Sequence, residues 1–373
     1  MMRPQFEIIL NDLKKKMVLL VGPRQSGKTT LAKELTSYYQ KPLYLNYDHI
    51  KDRTMIQEQL WLPETDLLIL DELHKMHDWK NYLKGYYDTK PEHQHILVTG
   101  SARLDLYDQI GDSLAGRYFR HRLLPLSLAE LHQAKINNDI QDLIERGGFP
   151  EPYFSETNLD AKRWRAQYIN SILSTDIFEV DNIQNLKAFR TVFDLLRHRV
   201  GSPVSYQSLA EDIGVSPTTI KKYIEILAAV YVIFSVTPYS NNIARSLLKE
   251  PKIYFFDTAL VEGGSGPSLE NTVAVSLLKS LYARNDQCAE ENVLHYLRTK
   301  DGEEVDFAIC NNHQVQTIFE VKVSDANISK SLYKFKHKYD FESVQLVQHL
   351  KHEYQDKNIK VLNAADYLKN LYL

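Results

Sequence analysis

Short apolar runs alternate with amphipathic stretches over the first third of the chain. Three runs are short and apolar enough for buried strands: residues 17–21, 67–70 and 95–98. Leu31, Ala32 and Leu35 recur at three- and four-residue spacing, which predicts a helix over residues 30–39. Strands and helices in this order predict an α/β domain with a parallel sheet, over residues 1–135.

Helical spacing dominates the chain after Pro150. Apolar side chains fall on two helical faces, one with Trp164, Tyr168, Ile172 and Leu173 and the other with Leu186, Phe189, Phe193 and Leu196. We interpret residues 136–200 as a helical lid or connector that packs against the first domain.

Residues 201–262 carry the start signals of two helices joined by a turn. Ser205 can cap the first helix, Gly214 supplies the turn, and Ser216 with Pro217 starts the second helix. With residues 230–236 and 253–256 as wing strands, the pattern predicts a winged helix-turn-helix. Four outward residues would then contact a DNA major groove: Thr218, Thr219, Lys221 and Lys222. A protein contact or a lid is the alternative role of such a domain.

The last predicted domain, residues 263–373, follows a glycine-rich stretch at residues 263–268 that we interpret as a flexible joint. A helix is predicted to open at Glu270. Asp301 and Gly302 then form a hairpin turn between two strands, at residues 296–298 and 304–309, and a third strand follows at residues 318–323.

Composition excludes some classes of protein. The 373 residues include 43% hydrophobic and 25% charged residues, which rules out wholesale disorder. The 45 basic and 48 acidic residues give a net charge of −3, which excludes a uniformly basic nucleic-acid coat. Two segments are locally basic, residues 183–200 and 327–339, so a local DNA surface stays possible.

The cellular compartment is also constrained by composition. Cys288 and Cys310 are too few for a disulfide framework. The longest apolar run, residues 226–236, is shorter than the roughly 20 residues that a membrane span needs. We therefore expect a cytoplasmic protein with no membrane partner.

A phosphate-binding motif follows the first predicted strand. Residues 22–29 fit the pattern G-x-x-x-x-G-K-[ST], in which backbone N–H groups and a helix N-terminus surround phosphate oxygens. Lys28 would reach the β- and γ-phosphates, and Thr29 would bind Mg²⁺. The predicted ATP-binding residues are Gly22, Pro23, Arg24, Gln25, Ser26, Gly27, Lys28, Thr29 and Thr30.

Further along the same domain lie candidate catalytic residues. Asp71 ends an apolar strand and suits a second contact to Mg²⁺, while Glu72 can polarise a water for attack on the γ-phosphate. Ser101 is our choice over Thr99 for orienting that water. Arg117 can act as an arginine finger on a neighbouring subunit, which predicts a homo-oligomer; a solvated surface arginine is the equal alternative.

A second set of charged residues has the arrangement of PD-(D/E)xK nucleases. Glu270 lies on a helix, Asp306 on a strand, and Glu320 and Lys322 on one face of the next strand, because side chains alternate along a strand. The three carboxylates would bind Mg²⁺ and the lysine would position or activate water. The alternative is a strand face with cross-strand salt bridges.

The order of these motifs resembles a prokaryotic family of AAA-type ATPases that join a P-loop domain to an uncharacterised C-terminal domain. The matching segments are residues 22–30, 70–75, 98–102, 115–117, 124–130, 147–150, 241–244 and 251–257. The resemblance implies an AAA-like core in which Lys28, Thr29, Asp71 and Glu72 serve ATP. It also implies Ser101 as sensor, Arg117 as finger and a restriction-endonuclease-like α/β fold in the last domain.

Three functions are consistent with this reading. We prefer a Mg²⁺-dependent ATPase whose nucleotide state controls C-terminal domains that contact DNA. The first alternative is an ATP-gated, metal-dependent DNA nuclease. The second is an ATP-controlled signalling switch that binds a protein partner and carries an inert nuclease-like domain.

Overall fold

The computed structural model describes residues 3–100, 114–136, 139–173, 183, 185–240, 250–299, 301–324 and 327–373. The chain divides into two compact units, Met1–Leu124 and Pro125–Leu373, which are described separately. None of the helices in the described ranges combines the length and the apolar character that a membrane crossing requires.

A parallel five-stranded sheet forms the centre of the first unit. Its strands are β1 Met17–Val21, β2 Pro42–Asn46, β3 Leu67–Asp71, β4 His95–Gly100 and β5 Tyr118–Arg122. They lie in the order β2-β3-β4-β1-β5. Every residue of β1 and β3 is buried, as expected for parallel strands covered on both faces. The three strands predicted from apolar runs are therefore confirmed.

Helices of the first unit cover both faces of this sheet. They are α1 Gln5–Leu13, α2 Lys28–Leu35, α3 Ile50–Glu58 and α4 Trp79–Thr89, with short 3₁₀ turns at Thr36–Tyr38 and Leu73–Lys75. Successive side chains of β1 enter opposite apolar clusters, Val18 and Leu20 on the face of α2 and Leu19 and Val21 on the other. The predicted helix after the phosphate-binding motif is confirmed, and its Leu31 contributes to the first cluster.

The second unit begins with a series of helices. They are α5 Leu128–Gln133, α6 Ile140–Arg146, α7 Pro150–Tyr153, α8 Asn158–Ser171 and α9 Leu186–Arg197. Trp164 and Tyr168 stack with ring centroids 4.7 Å apart, and Phe149 packs against both rings. Phe189 and Phe193 of α9 are buried as well, so the predicted apolar faces bury their aromatic rings.

Two capped helices follow in the second unit, α10 Tyr206–Ile213 and α11 Pro217–Ala229. The hydroxyl of Ser205 accepts a hydrogen bond from the amide of Ser208, and Ser216 accepts one from the amide of Thr219. Gly214 ends α10 with φ of +78°, a left-handed conformation that glycine adopts at little cost. The predicted helix, turn and helix are confirmed at these positions.

A mixed eight-stranded sheet forms the rest of the second unit. Its strands are β6 Ile233–Pro238, β7 Lys252–Phe255, β8 Asn292–Arg298, β9 Glu304–Asn311, β10 Gln314–Lys322, β11 Glu342–Val347, β12 Tyr354–Asp356 and β13 Ile359–Asn363. They lie in the order β12-β13-β11-β10-β9-β8-β6-β7. The two strands predicted as a wing, β6 and β7, pair antiparallel, and β6 also pairs with β8. The predicted wing strands therefore continue the C-terminal sheet.

Three helices accompany this sheet: α12 Ser265–Cys288, α13 Lys330–Tyr339 and α14 Ala364–Lys369. The prediction of a flexible joint over residues 263–268 is wrong, because α12 already begins at Ser265. Pro267 lies in the first turn, where an N–H would have no acceptor within the helix, so the proline does not interrupt α12. Glu270 accordingly lies inside the helix and does not open it.

A buried ion pair joins two segments of the second unit that are distant in sequence. The ammonium of Lys279 on α12 binds the carboxylate of Glu130 on α5, and both side chains are almost fully buried. Lys279 also donates to the carbonyl of Pro125 at 2.6 Å. Removal of one member of such a pair leaves an uncompensated buried charge, so the ion pair links α5 to α12.

Candidate functional site

The loop between β1 and α2 depends on two glycines. A Cβ atom on Gly22 would lie 2.3 Å from the carbonyl oxygen of Leu123, whose amide donates to the carbonyl of Val21. Gly27 has φ of +99° and directly precedes α2. The first glycine thus permits close packing of two backbones, and the second permits the sharp entry into the helix.

All predicted ATP-binding residues lie in this loop or in the first turn of α2, with Thr30 exposed in that turn. The ammonium of Lys28 donates to the carbonyls of Gly22 at 3.0 Å and Pro23 at 2.7 Å. Burial lowers the pKa of Lys28 to about 8, although Glu72 and Asp71 both favour its charged form.

The buried hydroxyl of Ser26 in the same loop has no hydrogen-bond partner in the part of the chain that the structure describes. A buried polar group without a partner is rare, and here it lies beside a helix N-terminus and an ammonium group. The loop therefore fits a phosphate group, which would accept from all of these donors.

Hydroxyl groups from three elements converge on the buried carboxylate of Asp71. Oδ2 accepts from Thr29 Oγ1 at 3.0 Å and from the Tyr44 hydroxyl at 2.5 Å. Oδ1 accepts from the hydroxyl of Thr99. Burial raises the pKa of Tyr44, and its hydrogen bond to Asp71 raises it further. The carboxylate is thus held in one orientation from α2, β2 and β4.

Sequence reasoning identified Thr29 and Asp71 but missed the roles of Tyr44 and Thr99. Tyr44 and Asp71 approach because β2 pairs directly with β3, with Asn46 opposite Asp71. No local motif marks this tyrosine, since its contact depends on which strands are neighbours. Thr99 follows the same rule, because β4 lies on the other side of β3 and places it opposite Asp71.

Thr29 and Asp71 offer hard oxygen atoms of the kind that Mg²⁺ prefers, so the residues present fit this ion. Within the described residues, no group of three or more His, Cys, Asp or Glu side chains could hold a metal. A nucleotide site needs fewer protein ligands, because Mg²⁺ usually keeps waters and binds substrate phosphates.

Glu72 lies beside Asp71 in a strained backbone conformation. Its φ is +57°, which is uncommon for a residue other than glycine. His74 Nε2 lies 3.6 Å from Glu72 Oε2, and this oxygen accepts no hydrogen bond from the described residues. Burial raises the pKa of Glu72, as does Asp71, while Lys28 opposes the rise. A carboxylate with this environment is suited to accept a proton from water.

The structure describes one of the other two predicted catalytic residues of the first unit, Arg117 and Ser101. Arg117 forms a bidentate ion pair with Asp88 of α4, with Nε to Oδ1 at 2.8 Å and Nη2 to Oδ2 at 3.0 Å. Ser101 lies outside the described residues. The carboxylate of Asp88 is the partner that sequence reasoning missed.

The four predicted DNA contacts occupy the first two turns of α11. Thr218, Lys221 and Lys222 are exposed, whereas Thr219 is half-buried next to the cap residue Ser216. Lys221 lies 3.8 Å from Glu225 one turn later.

The nuclease-like residues of the second unit come together around a lysine that sequence reasoning missed. The ammonium of Lys252 on β7 is fully buried and lies 3.3 Å from Glu270, 2.8 Å from Glu304 and 3.6 Å from Asp306. Burial alone would lower the pKa of Lys252, but the three carboxylates outweigh it and raise the pKa. The Tyr254 hydroxyl donates to Glu270 at 2.6 Å.

Glu320 and Lys322 lie on one face of β10, as predicted, with Oε1 and Nζ 2.7 Å apart. Burial raises the pKa of Glu320 to about 7, and Asp306 raises it as a second cause, so these two acids lie in one electrostatic cluster. Burial and Asp306 also raise the pKa of Glu270 to about 8. The structure thus brings together the four predicted residues and adds Lys252, Tyr254 and Glu304.

Family comparisons match three parts of the chain. Residues 14–132 match a family model described as "AAA domain". Residues 137–265 and 265–367 match two models described as "Domain of unknown function", DUF8612 and DUF4143. The first match and the loop geometry support an AAA-type P-loop ATPase that binds and hydrolyses ATP.

Relatives with similar sequences occur in bacteria and archaea. An uncharacterized protein of Mycobacterium tuberculosis is 28% identical over 327 residues, which cover 85% of this chain and 72% of the relative. An uncharacterized protein of Haemophilus influenzae is 24% identical, with 82% and 86% covered. One from Methanocaldococcus jannaschii is also 24% identical, with 88% and 80% covered.

Among solved structures, the comparison includes the Thermotoga maritima RuvB Holliday junction branch migration motor. It is 22% identical with a TM-score of 0.32, and the match covers 66% of this chain and 93% of that chain. A DNA polymerase III gamma subunit-related protein of Thermotoga maritima is 14% identical with a TM-score of 0.27, with 76% and 99% covered. At scores this low, neither likeness bears on the substrate or partners of this chain.

We predict that Tyr44→Phe weakens the effect of Mg²⁺ on ATP affinity by about tenfold. A hydrogen bond to a charged group contributes about 1.5–3 kcal/mol, and about 1.4 kcal/mol equals a factor of ten in affinity. Titration with a fluorescent ATP analogue, with and without Mg²⁺, measures the effect. Tyr82→Phe, which loses a hydrogen bond to the carbonyl of Ile56, is the control. An unchanged Mg²⁺ dependence in Tyr44→Phe would contradict the role of this hydroxyl.

Proposed function

We propose that the chain is a Mg²⁺-dependent ATPase whose nucleotide state controls DNA binding by its second unit. The main support is the arrangement at β3, where Asp71 accepts a hydrogen bond from Thr29, and the adjacent Glu72 interacts electrostatically with the buried Lys28. Mg²⁺ bound with ATP would neutralise phosphate charge there, held by Thr29 and Asp71.

Two charged side chains have separate roles in the proposed hydrolysis. Lys28 exchanges the carbonyls of Gly22 and Pro23 for phosphate oxygens, and its charge stabilises the negative charge that builds up in the transition state. Glu72 accepts a proton from the attacking water, a task that a raised pKa favours. Thr99 keeps the neighbouring carboxylate of Asp71 oriented.

Helix α11 is the proposed contact to duplex DNA. Its N-terminal turns present Thr218, Lys221 and Lys222 to solvent, and a helix of 13 residues is long enough to lie in a major groove. The half-buried Thr219 borders this surface. Lysines at the start of such a helix would contact phosphates and position it on the duplex.

Arg117 is proposed as an arginine finger that completes the ATP site of a neighbouring copy, which requires a homo-oligomer. In the free chain its guanidinium is engaged by both carboxylate oxygens of Asp88. On contact with a γ-phosphate, Arg117 would exchange one anionic partner for another. The planar guanidinium can bind either a carboxylate or a phosphate through two parallel hydrogen bonds. Ser101 is proposed as the residue that orients the attacking water.

We expect Glu72→Gln to lower ATP turnover by roughly 10²–10⁴-fold while ATP affinity stays unchanged, because only the proton acceptor is lost. Phosphate release and a nucleotide titration measure the two quantities. The wild-type rate should also fall as the pH is lowered, because protonated Glu72 cannot accept a proton. Since the pKa of Glu72 is raised, this fall should begin at a higher pH than it would for an ordinary glutamate. Glu64→Gln, an exposed residue of the same unit, serves as the control. Wild-type turnover in Glu72→Gln would refute the assignment.

Two matched variants separate a finger from a structural arginine. If Arg117 acts on a neighbouring copy, Arg117→Ala lowers turnover by roughly 10³-fold or more, and turnover no longer depends on protein concentration. Asp88→Asn then keeps the wild-type turnover and its dependence on protein concentration. If the arginine serves only its ion pair with Asp88, the two variants have equal effects. Steady-state rates over a range of protein concentrations distinguish these results.

For the DNA contact we predict that Lys221→Ala/Lys222→Ala weakens duplex binding at low salt and reduces its salt dependence. Each lost phosphate contact lowers the slope of log affinity against log salt by about 0.9, so the expected decrease is up to about 2. Fluorescence anisotropy with a labelled duplex measures both values. Lys162→Ala/Lys351→Ala removes two exposed lysines elsewhere in the unit as a control. Equal loss in both double variants would show that α11 is not the contact, and absence of wild-type binding would favour a protein partner.

A further inference from the structure

Lys252 provides a built-in cation within the acidic cluster of the second unit. Its side chain has no exposed surface, and its ammonium lies within 3.6 Å of carboxylate oxygens from Glu270, Glu304 and Asp306. These acids come from α12 and β9, while the lysine comes from β7. A buried ammonium in this position offsets the negative charge of the carboxylates around it.

Further donors contact each of these acids. Glu270 Oε1 accepts from the Tyr254 hydroxyl at 2.6 Å in addition to Lys252, and Asp306 Oδ2 accepts from the amide of Val321 at 2.8 Å. Glu304 Oε2 lies 3.5 Å from Arg298. A metal ion bound to Glu270 Oε1, or to either oxygen of Asp306 or Glu304, would therefore have to compete with a donor already present.

Glu320 and Lys322 complete the cluster on β10 without opening it. Oε1 of Glu320 binds Lys322 at 2.7 Å, and Oε2 is buried without a hydrogen-bond partner in the described ranges. This oxygen belongs to a carboxylate that already binds the ammonium of Lys322, so an ion bound there would lie close to a second positive charge. The described residues likewise contain no group of three acids, histidines or cysteines arranged to hold a metal.

Electrostatics favours the ammonium over a metal ion in this place. A divalent cation bound to Asp306 and Glu270 would lie a few ångströms from the ammonium of Lys252, in a region where burial strengthens their repulsion. The lysine is part of β7 and fully enclosed, so it could leave only if the strand and its surroundings moved. The residues therefore do not fit the metal that the nuclease-like arrangement implies.

We propose that Lys252 is the resident cation of this nuclease-like site and closes it to Mg²⁺ and Mn²⁺. The acids bind Lys252 and so link β7 to α12 and β9. This contact attaches the two predicted wing strands, β6 and β7, to the C-terminal sheet. The second unit then binds its partner without cutting a phosphodiester bond. This inference is independent of the proposed ATPase reaction.

The test measures binding of Tb³⁺, an oxygen-seeking ion whose luminescence is sensitised by nearby tyrosines. Tyr254 contacts Glu270, and the ring centroid of Tyr296 lies 5.4 Å from the ammonium of Lys252, so both would report an ion bound at the cluster. All proteins are full-length and nucleotide-free, and carry Asp71→Asn so that the P-loop acids do not contribute. Circular dichroism verifies that each variant is folded.

We expect little Tb³⁺ binding at the cluster in this parent protein. Lys252→Met keeps the length of the side chain and removes its charge, so it should raise Tb³⁺ affinity by at least about tenfold. Adding Asp306→Asn should abolish the gain. Lys279→Met, which removes another buried lysine that pairs with a carboxylate in this unit, is the matched control and should produce no gain that depends on Asp306.

The parent protein alone can overturn the proposal, even if Lys252→Met fails to fold. Tight Tb³⁺ or Mn²⁺ binding by the parent that is lost in Asp306→Asn would show that the site already accepts a metal. Cleavage of single-stranded, duplex or branched DNA by the wild-type protein with Mn²⁺, abolished by Asp306→Asn, would have the same meaning. A folded Lys252→Met variant without any gain in affinity would also refute it.

Discussion

A charge buried in a protein must meet an opposite charge or enough hydrogen-bond donors, and both units are organised around this requirement. In the first unit, hydroxyls from three elements surround Asp71 and the buried ammonium of Lys28 binds two carbonyls. In the second unit, the buried ammonium of Lys252 contacts three partly buried carboxylates, and buried Lys279 pairs with buried Glu130. These contacts connect segments that are far apart in the chain.

The two acidic regions differ in how completely their charges are satisfied. At the P-loop, Lys28 binds neutral carbonyls, Ser26 has an unpartnered hydroxyl, and Glu72 has an oxygen without a donor among the described residues. Such a site gains when a phosphate ligand arrives, because unsatisfied donors acquire an acceptor. Around Lys252, one ammonium already contacts three carboxylates, so a metal would have to compete with it for them. This difference is the reason to place ATP chemistry in the first unit and a fastening role in the second.

Much of the local structure could be predicted from short stretches of sequence. The glycines at Gly22 and Gly27, the caps at Ser205 and Ser216, and the apolar strands all depend on neighbours within a few residues. The joint expected at residues 263–268 was wrong because a glycine-rich composition is compatible with the first turn of a helix whose later turns are buried. There, packing of the following residues outweighed the local preference for a turn.

The sequence by itself determined the phosphate-binding loop, Thr29, the Asp71-Glu72 pair and the alternating Glu320 and Lys322. Each of these is set by spacing along one element, and one element's geometry follows from its own residues. Only the tertiary structure decided that Tyr44 orients Asp71, that Asp88 holds Arg117 and that Lys252 lies among the nuclease-like acids. Those contacts depend on strand order and on helix packing, which bring together residues that no local pattern relates. The chemical type of each residue could therefore be predicted from the sequence, whereas its partners were decided by the fold.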